Sequence, residues 1–307
     1  MTIQHLEGLI AAPYTAMHAD GSLNLDVVER QAEALVASGV SGAFVCGTTG
    51  ESLSLTVAER MAVVERWRAV APRDFCVVAH VGHTAIADAR AIAAHAQEVG
   101  VTAIAAMAPC FFKPATVADL VDFCAEVAAA APRLPFYYYQ IPSMTGVSMP
   151  VLDFLTAAAG KIPTLAGAKF TYENLMDYFA CLRLDGGRYD LLIGRDELLL
   201  AGLALGAKGA VGTIYGFAAP VFLRVIGAFD AGDLATARAE QARANELIAV
   251  FVKFGGLPAG KAIMRMIGQD CGPARPPLRN LTEEQCAALR AELDRIGFFG
   301  YCNRLLA

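Results

Sequence analysis

The amino-acid sequence predicts an α/β fold: a (β/α)8 barrel, also called a TIM barrel, followed by a helical C-terminal extension. Short apolar segments of strand length alternate with longer segments of helical periodicity from residue 8 to residue 216. The strand segments are apolar almost throughout, which is typical of parallel strands that are buried on both faces. The chain has 307 residues, of which 56% are hydrophobic, so it can enclose a barrel-sized core.

Eight candidate strands follow one another along the chain as short apolar runs. In order, they lie within residues 8–15, 42–47, 75–81, 102–109, 134–142, 164–170, 189–194 and 208–216. An open, doubly wound sheet has the same alternation, but a Gly-rich phosphate-binding turn usually follows its first strand. Here the first strand is followed by "TAMHADGSLN", which lacks such a turn, so the pattern favours a closed barrel.

Segments with apolar residues three and four positions apart separate the candidate strands. Two examples are "NLDVVERQAEALVASG" (residues 24–39) and "TVAERMAVVERWRAVAP" (residues 56–72), and a Gly or a Pro closes each one. From Pro220 to Ala307 strong strand patterns are lacking, which predicts the last barrel helix and further helices. No low-complexity linker is present, so we expect a single domain, with the barrel core at about residues 7–219 and the helical part at about 220–307.

The composition argues against several kinds of partner. The 25 basic and 30 acidic residues give a net charge of −5, and no run of Lys or Arg offers the basic surface that nucleic-acid binding requires. The N-terminus "MTIQHLEGLIAAPYT" does not resemble a signal peptide, and its apolar segment is too short to span a bilayer. We therefore expect a cytoplasmic protein without a nucleic-acid or membrane partner.

The eight cysteines are spread along the chain without a C-x-x-C pair or a Cys/His cluster at metal-binding spacing. This predicts reduced, mostly buried thiols and no metal site. His80 and His83, in "AHVGHT" near the end of the third strand, are an alternative base or metal pair. A packing or loop role is commoner for such histidines, and no acidic residue lies at a suitable spacing to support a metal site.

The carboxyl ends of the predicted strands carry the candidate site, because a (β/α)8 barrel places its active site there. The segment "GTTGE" (residues 47–51) follows the second strand, and other strand ends contribute polar residues and glycines. The candidate site residues, in chain order, are Thr48, Thr49, Tyr139, Lys169, Thr171, Gly194, Asp196, Glu197, Gly212 and Thr213. An alternative role for Glu197 is to stabilise the start of a helix, where acidic residues are favourable.

Lys169 lies in the apolar run "LAGAKF", whereas the other five lysines lie in predicted loops or helices. Burial of a charged amine is costly, so it lowers the pKa of a lysine from about 10.4 towards ~7 to 8. A neutral amine of this kind can attack a carbonyl carbon. The alternative is a lysine whose ammonium group extends from the strand end into solvent.

Tyr139 ends the neighbouring strand, in "FYYYQ", and is the natural proton carrier for such an amine. Strand alternation places Tyr137 on the same face, and Tyr137 and Tyr138 are predicted to pack in the core or against a loop. The hydroxyls of Thr48 and Thr49 and the glycine-exposed N–H groups around them form a good receptor for a carboxylate. A turn in which the two threonines cap the following helix is an equally supported alternative.

Four motifs resemble those of the pyruvate-dependent class I aldolases, the superfamily that includes N-acetylneuraminate lyase and dihydrodipicolinate synthase. They are "GTTGE", the "YQIPSMTG" turn, "GAKF" and "GAVGT", in the order and at the spacing of that family. The likeness covers about residues 7–300. Within the family, "PFYYYQIPSMTGV", "KIPTLAGAKF" and "KFGGLPAGKAIM" are most similar to the N-acetylneuraminate lyases, particularly the animal ones.

The resemblance implies a mechanism and a substrate class. It implies a Schiff base at Lys169 and proton transfer by Tyr139, which we expect to act in relay with Thr49 and the substrate's own carboxylate. It also implies that Thr48, Thr49 and nearby backbone amides hold the carboxylate of pyruvate. The resemblance also implies a homotetramer. The implied mechanism requires neither a metal nor a nucleotide cofactor. Along the polyhydroxylated part of a sugar, the resemblance places Thr171, Gly194, Asp196, Glu197 and Gly212.

Two departures from the family patterns affect the substrate. The synthases usually have an arginine in the proline turn, where this chain has Met144 and so lacks their contact for a second carboxylate. The lyases usually have Gly-Ser-Thr-Tyr-Asn after the eighth strand, where this chain has "GTIYG". Thr213 keeps a hydroxyl there, but Ile214 and Gly216 replace polar residues, so the acyl group of the sugar, or the sugar acid itself, can differ.

The sequence therefore predicts a reversible lyase that cleaves a sialic acid to pyruvate and an N-acylmannosamine. One alternative is another aldolase, or a dehydratase, that uses the same lysine on a different 2-keto acid; a dehydratase releases water and no pyruvate. The second alternative is a catalytically inactive barrel that binds a sugar acid. The presence of both Lys169 and Tyr139 argues against that alternative.

Overall fold

The computed structural model describes residues 3–303, and within them eight parallel strands close into a barrel. Each strand pairs with the next along the chain, and the last pairs with the first. The strands are β1 (Gly8–Ala11), β2 (Gly42–Val45), β3 (Cys76–His80), β4 (Ala103–Met107), β5 (Phe136–Gln140), β6 (Leu165–Phe170), β7 (Asp190–Ile193) and β8 (Gly209–Gly212). All of them lie within the predicted segments, so the (β/α)8 fold is confirmed.

Helices follow the strands and pack around the barrel. They are α1 (Val27–Ala37), α2 (Val57–Val70), α3 (Ile86–Val99), α4 (Val117–Ala129), α5 (Pro142–Thr145), α6 (Val151–Ala158), α7 (Leu175–Arg183), α8 (Leu199–Leu205), α9 (Tyr215–Asp230), α10 (Leu234–Lys253), α11 (Leu257–Met266) and α12 (Glu283–Arg295). Helices α2 and α4 begin with capping boxes, in which Thr56 and Thr116 accept from the backbone N–H three residues on. These caps satisfy N–H groups that would otherwise have no partner at the helix start.

The barrel strands are buried on both faces, as their apolar sequences predicted. Strand β5 illustrates the alternation: Tyr137 and Tyr139 join the cluster inside the barrel, whereas Tyr138 joins the cluster beneath the helices. There Tyr138 lies against Phe154, with ring centroids 4.4 Å apart. Inside the barrel, the Tyr137 hydroxyl donates to Asp190 Oδ2 at 2.8 Å. The packing roles that were predicted for Tyr137 and Tyr138 are confirmed.

The C-terminal helices pack beside the barrel. The predicted boundary at about residue 219 falls inside α9, where Ala218 has non-helical dihedral angles (φ −140°, ψ 33°) and Pro220 lacks a backbone N–H. Helix α9 packs against β1 and α10, and α10 also contacts the 3-10 turn Asp196–Leu198. The extension is therefore in contact with a loop at the carboxyl end of the barrel. The assignment of the whole chain to one domain stays a prediction.

Taken one at a time, the helices between residues 3 and 303 are each too short or too polar to cross a membrane. Helices α10 and α11, joined at a bend of 112°, reach the required length and apolar content only when they are considered together.

Candidate active site

A cavity of about 310 Å³ opens at the carboxyl ends of the barrel strands. Every predicted site residue lines it: Thr48, Thr49, Tyr139, Lys169, Thr171, Gly194, Asp196, Glu197, Gly212 and Thr213. They come from five different strand ends, and the fold brings them to one place because all strands of the barrel run parallel. Their roles in catalysis and binding stay predictions. The contacts and the burial of each side chain support these roles to different degrees.

Lys169 lies at the bottom of the cavity and is only 4% exposed. Its Nζ lies 4.0 Å from the centroid of the Phe44 ring and 4.2 Å from that of Tyr139. Burial lowers the pKa of Lys169 to about 7, an effect that the nearby Asp196 carboxyl partly opposes. A large fraction of the amine is therefore neutral near pH 7, as the apolar strand sequence predicted.

Tyr139 lies directly beside the lysine, because the pairing of β5 and β6 places Tyr139 opposite Lys169. Its hydroxyl is 3.1 Å from Thr48 Oγ1. Burial raises the pKa of Tyr139 to about 12, although the hydrogen bond with Thr48 works in the other direction. At neutral pH the group is thus a phenol, which can carry a proton only by accepting one while it donates its own.

The two threonines of "GTTGE" have separate partners. Thr48 is bonded to Tyr139, whereas Thr49 Oγ1 lies 2.6 Å from Thr213 Oγ1, across the cavity floor from β2 to β8. The predicted relay between Tyr139 and Thr49 therefore differs from the structure, in which Thr48 is the neighbour of the tyrosine. Neither threonine caps the next helix, since the N-cap residue of α2 is Thr56.

Glu51 closes this loop in a left-handed conformation (φ 61°), and its side chain points into the protein. Its Oε1 lies 2.7 Å from Lys261 Nζ on α11, and its Oε2 accepts a hydrogen bond from the backbone N–H of Arg275 at 2.7 Å. Lys261 lies in a helix, as expected, but it is as deeply buried as Lys169. It differs from Lys169 because it forms a direct ion pair with a carboxylate.

Asp196 is a buried carboxyl group that ties β7 to β8. Its Oδ2 accepts a hydrogen bond from the Ile214 backbone N–H at 2.9 Å. Gly212 is required beside it, because a Cβ atom there would lie 1.7 Å from Asp196 Oδ1. Burial raises the pKa of Asp196 to about 7, more than the hydrogen bond and the nearby Lys169 lower it. Part of its role is therefore to fix the loop after β8.

Glu197 faces the cavity from the same turn and lies beside Arg195, which was not among the predicted site residues. Arg195 Nη1 donates to Glu197 Oε1 at 3.0 Å, and Arg195 Nη2 forms an ion pair with Glu173. Arg195 is the residue that precedes the 3-10 turn, and it also lines the cavity. Its position next to the predicted pair was the one available signal in the sequence.

Thr171 and Gly194 are in close contact at the ends of β6 and β7. A Cβ atom at Gly194 would lie 2.2 Å from Thr171 Oγ1, so a larger residue would displace the threonine hydroxyl. That hydroxyl is buried, and within residues 3–303 it has no hydrogen-bond partner. A buried hydroxyl without a partner is unfavourable, which supports a role in ligand binding.

One wall of the cavity is apolar and comes from the C-terminal extension. Ile248, Phe251 and Val252 of α10 and Leu257 of α11 line it. The three- and four-residue spacing of Ile248, Phe251 and Val252 predicts one face of a helix, but it does not tell where that face is placed. The sequence therefore did not predict this wall.

His80 lies beneath the cavity floor. Its Nδ1 is 3.0 Å from the Cys46 carbonyl oxygen, and its ring meets the Tyr139 ring edge-on with centroids 5.5 Å apart. Burial, helped by the positive charge of Arg60, holds the pKa of His80 well below its usual value. A neutral, buried imidazole in this position supports the loop that carries Thr48.

His83 is separate from His80 and lies at the start of α3. Its Nδ1 accepts a hydrogen bond from the Ala85 N–H at 3.0 Å and lies 3.5 Å from Asp88 Oδ2. Asp88 is an acidic neighbour that the sequence spacing did not indicate, because the loop-to-helix turn brings it against His83. In the described part of the chain, no group of three or more His, Cys, Asp or Glu side chains could hold a metal ion.

The barrel and its buried lysine assign the chain to a known class. The model of the dihydrodipicolinate synthetase family matches residues 5–296, which is nearly the whole chain. The chain belongs to this family of class I aldolases.

Several N-acetylneuraminate lyases are similar to this chain over nearly their whole length. The N-acetylneuraminate lyase of Mus musculus is 42% identical over 298 residues, covering 95% of this chain and 93% of that protein. The structure of Proteus mirabilis N-acetylneuraminate lyase has a TM-score of 0.93 at 43% identity, covering 96% of this chain and 100% of that one. The N-acetylneuraminate lyase, or sialic acid aldolase, of Aliivibrio salmonicida has a TM-score of 0.94 at 40% identity, covering 96% and 98%. The resemblance inferred from the motifs is confirmed.

Proposed function

We propose that the chain is an aldolase that cleaves N-acetylneuraminate reversibly to pyruvate and N-acetylmannosamine through a Schiff base. The position of Lys169 carries the proposal: its amine is buried, its pKa is lowered to about 7, and its strand pairs with the strand of Tyr139. The choice of substrate is supported by the three relatives above, each of which is named as an N-acetylneuraminate lyase.

The reaction begins at the amine. Neutral Lys169 attacks the keto carbon of the open-chain sugar acid, and loss of water converts the adduct to an iminium. Thr48, Thr49 and the backbone N–H groups of their loop hold the neighbouring carboxylate. The positive iminium accepts the electron pair of the bond that breaks, so the proposed cycle includes no cofactor.

Carbon–carbon cleavage requires removal of the proton from the C4 hydroxyl. Tyr139 accepts this proton and at the same time passes its own to the substrate carboxylate, directly or through the Thr48 hydroxyl, because a phenol of raised pKa stays un-ionised at neutral pH. The bond between C3 and C4 breaks, and its electron pair moves towards the iminium and forms an enamine on Lys169. N-acetylmannosamine then leaves. Protonation of the enamine at C3 and hydrolysis by water release pyruvate and restore the amine.

The distal part of the sugar is assigned to the other end of the cavity. We infer that Asp196 and Glu197 accept hydrogen bonds from sugar hydroxyls, together with Thr171 and Thr213. The apolar wall from α10 is suited to the methyl of the acyl group, since it offers a surface without polar partners. Met144, by contrast, is 60% exposed and does not line the cavity, so it offers no contact for a second carboxylate.

We also propose that the enzyme is a cytoplasmic homotetramer. The family resemblance supports the tetramer, and the scattered cysteines support a reducing compartment. Light scattering of the purified protein tests the assembly, and a mass equal to one chain would contradict it.

Trapping of the Schiff base tests the central step. Pyruvate with borohydride is expected to add a reduced pyruvyl group to Lys169, which peptide mass spectrometry locates. Lys169→Ala should abolish both the label and pyruvate release from N-acetylneuraminate, whereas Lys208→Ala, at an exposed lysine, should change neither. A label on another lysine would contradict the mechanism, and a wild type that is labelled but releases no pyruvate from any sialic acid would contradict the substrate.

A further inference from the structure

Glu173, Arg195 and Glu197 form an ion triad at the end of the cavity that is assigned to the distal part of the sugar. Arg195 follows β7 and lies between Glu197, two residues later, and Glu173, which lies three residues after β6. Its Nη1 donates to Glu197 Oε1 at 3.0 Å, and its Nη2 pairs with Glu173. The two carboxylates thus reach one guanidinium from neighbouring strand ends.

We propose that this triad makes Arg195 a specificity-determining residue, which restricts the distal end of the substrate to an uncharged, hydroxyl-bearing chain. The inference rests on the proposed function and narrows its substrate class. A 2-keto acid with one carboxylate and a neutral polyol tail fits. A substrate with a second anionic group at the far end, such as a phosphate, is rejected.

The charge balance at this end carries the argument. Two carboxylates around one guanidinium leave an excess of one negative charge, and two of the arginine's donor groups are already used by Glu173 and Glu197. A phosphate would therefore meet net repulsion from the carboxylate that is in excess. A sugar hydroxyl meets no such repulsion, because it is uncharged and donates to a carboxylate oxygen of Glu197 while the pairing with Arg195 stays in place.

The opposite end of the cavity has the reverse character. There Lys169 and the hydroxyls of Thr48 and Thr49 face the single carboxylate of the proposed substrate. The two glutamates of the triad lie instead at Arg195. One anion is thus accommodated at one end only. This asymmetry fixes the direction in which a substrate with a single carboxylate binds.

The triad is too exposed to be mainly a stabilising feature. The side chains of Arg195, Glu197 and Glu173 are 27%, 36% and 60% exposed. Ion pairs in such positions contribute little to the free energy of unfolding, because water screens them. Loss of the arginine should therefore affect recognition of the distal chain and leave the fold intact.

Condensation of pyruvate with two aldehydes, N-acetylmannosamine and its 6-phosphate, tests the inference. For the wild type, kcat/KM should favour the neutral aldehyde by at least about tenfold, since the phosphate brings further negative charge to a group of side chains that already has an excess of one negative charge. Glu173→Gln removes one negative charge and should narrow this preference. Arg195→Met leaves two unpaired carboxylates and should widen it, and it should raise the KM of N-acetylmannosamine by about tenfold because Glu197 loses its orienting partner.

The controls separate recognition from folding. Arg195→Met should keep the wild-type KM for pyruvate and the borohydride label on Lys169, and Arg195→Lys should recover part of the lost affinity for the aldehyde. Arg90→Gln breaks a comparable exposed pair with Glu126, on the outer helices, and should change no kinetic constant. The inference is overturned if the wild type uses the phosphorylated aldehyde as well as the neutral one, or if Arg195→Met leaves the KM of the aldehyde unchanged. Labelling of Lys169 without condensation of either aldehyde would overturn the proposed function together with the inference.

Discussion

Single residues that line the cavity owe their chemistry to burial. Lys169 and Asp196 both have a pKa of about 7, one lowered and the other raised, because burial disfavours either charge. Each charge stabilises the other, but less than burial destabilises it. Lys261 is equally buried, yet it has Glu51 as a direct partner, whereas Lys169 has aromatic rings as its neighbours.

The lowered pKa of Lys169 predicts the pH dependence of imine formation. The reactive form is the neutral amine, so the rate of borohydride trapping at saturating pyruvate should fall about tenfold per pH unit below pH 7 and level off above it. Asp196→Asn removes a negative charge that favours the ammonium form, and should move the midpoint to lower pH. A rate that continues to rise to about pH 10 would show an ordinary lysine.

Tyr139 is expected to act on proton transfer rather than on binding. Tyr139→Phe removes the hydroxyl that contacts Thr48 and should lower kcat for cleavage by roughly 10²- to 10⁴-fold, while pyruvate still labels Lys169, more slowly. Tyr138→Phe is the matched control, since that ring packs outside the barrel against Phe154. An unimpaired Tyr139→Phe enzyme would move the proton transfer elsewhere, and His80 would be the next group to test.

At the scale of elements, α10 holds the turn that carries the distal carboxylates. Gln241 donates to the Asp196 carbonyl oxygen at 3.2 Å and accepts from the Leu200 N–H at 3.0 Å. Asn245, one turn later, donates to the Glu197 carbonyl oxygen at 3.4 Å. The helical extension therefore supports the barrel loops as well as lining the cavity.

Gln241→Leu tests this support. It removes two hydrogen bonds from the turn and should raise the KM for N-acetylneuraminate about tenfold, with a smaller effect on kcat and none on pyruvate trapping. The free energy of unfolding should fall by about 1 to 3 kcal/mol, because the turn's polar groups lose their partner. Gln97→Leu makes the same change on α3, away from the cavity, and serves as the control. Equal KM values for the two variants would show that α10 does not position the turn.

At the scale of the whole molecule, a buried ion pair joins the loop that follows β2 to the C-terminal extension. Glu51 and Lys261 are 2.7 Å apart, with side chains that are 1% and 2% exposed. Arg275 adds a second connection, since its backbone N–H donates to Glu51 and its guanidinium donates to Glu59 of α2 at 2.8 Å. The loop that carries Thr48 is thus anchored from the far end of the chain.

Breaking this pair should destabilise the protein strongly. Lys261→Met leaves the Glu51 carboxylate buried without its partner and should lower the free energy of unfolding, measured in urea, by about 3 to 5 kcal/mol. The double variant Glu51→Gln, Lys261→Met should recover part of that loss, because no charge remains. Lys253→Met breaks a more exposed pair with Glu292 and should lower the free energy of unfolding far less. A similar loss in both single variants would contradict the special role of the buried pair.

The sequence by itself determined the barrel and the placement of a lysine in one of its buried strands. Strand and helix periodicity are local properties, so each strand from β1 to β8 was predicted within its segment. The order of parallel strands brings their carboxyl ends together, which predicted that Lys169 and Tyr139 would share a cavity. Burial of the lysine followed from the apolar run around it, because a strand inside a barrel has no exposed face.

Only the tertiary structure decided which side chains meet. Thr48 contacts Tyr139 and Thr49 contacts Thr213, although nothing in "GTTGE" distinguishes the two threonines. The pairing of Arg195 with Glu173 and the wall formed by α10 likewise depend on how distant segments pack. A hydrogen bond or an ion pair requires a separation within a few tenths of an ångström and a matching side-chain rotamer. Those distances arise from the assembled barrel and helices, and periodicity along the chain carries no information about them.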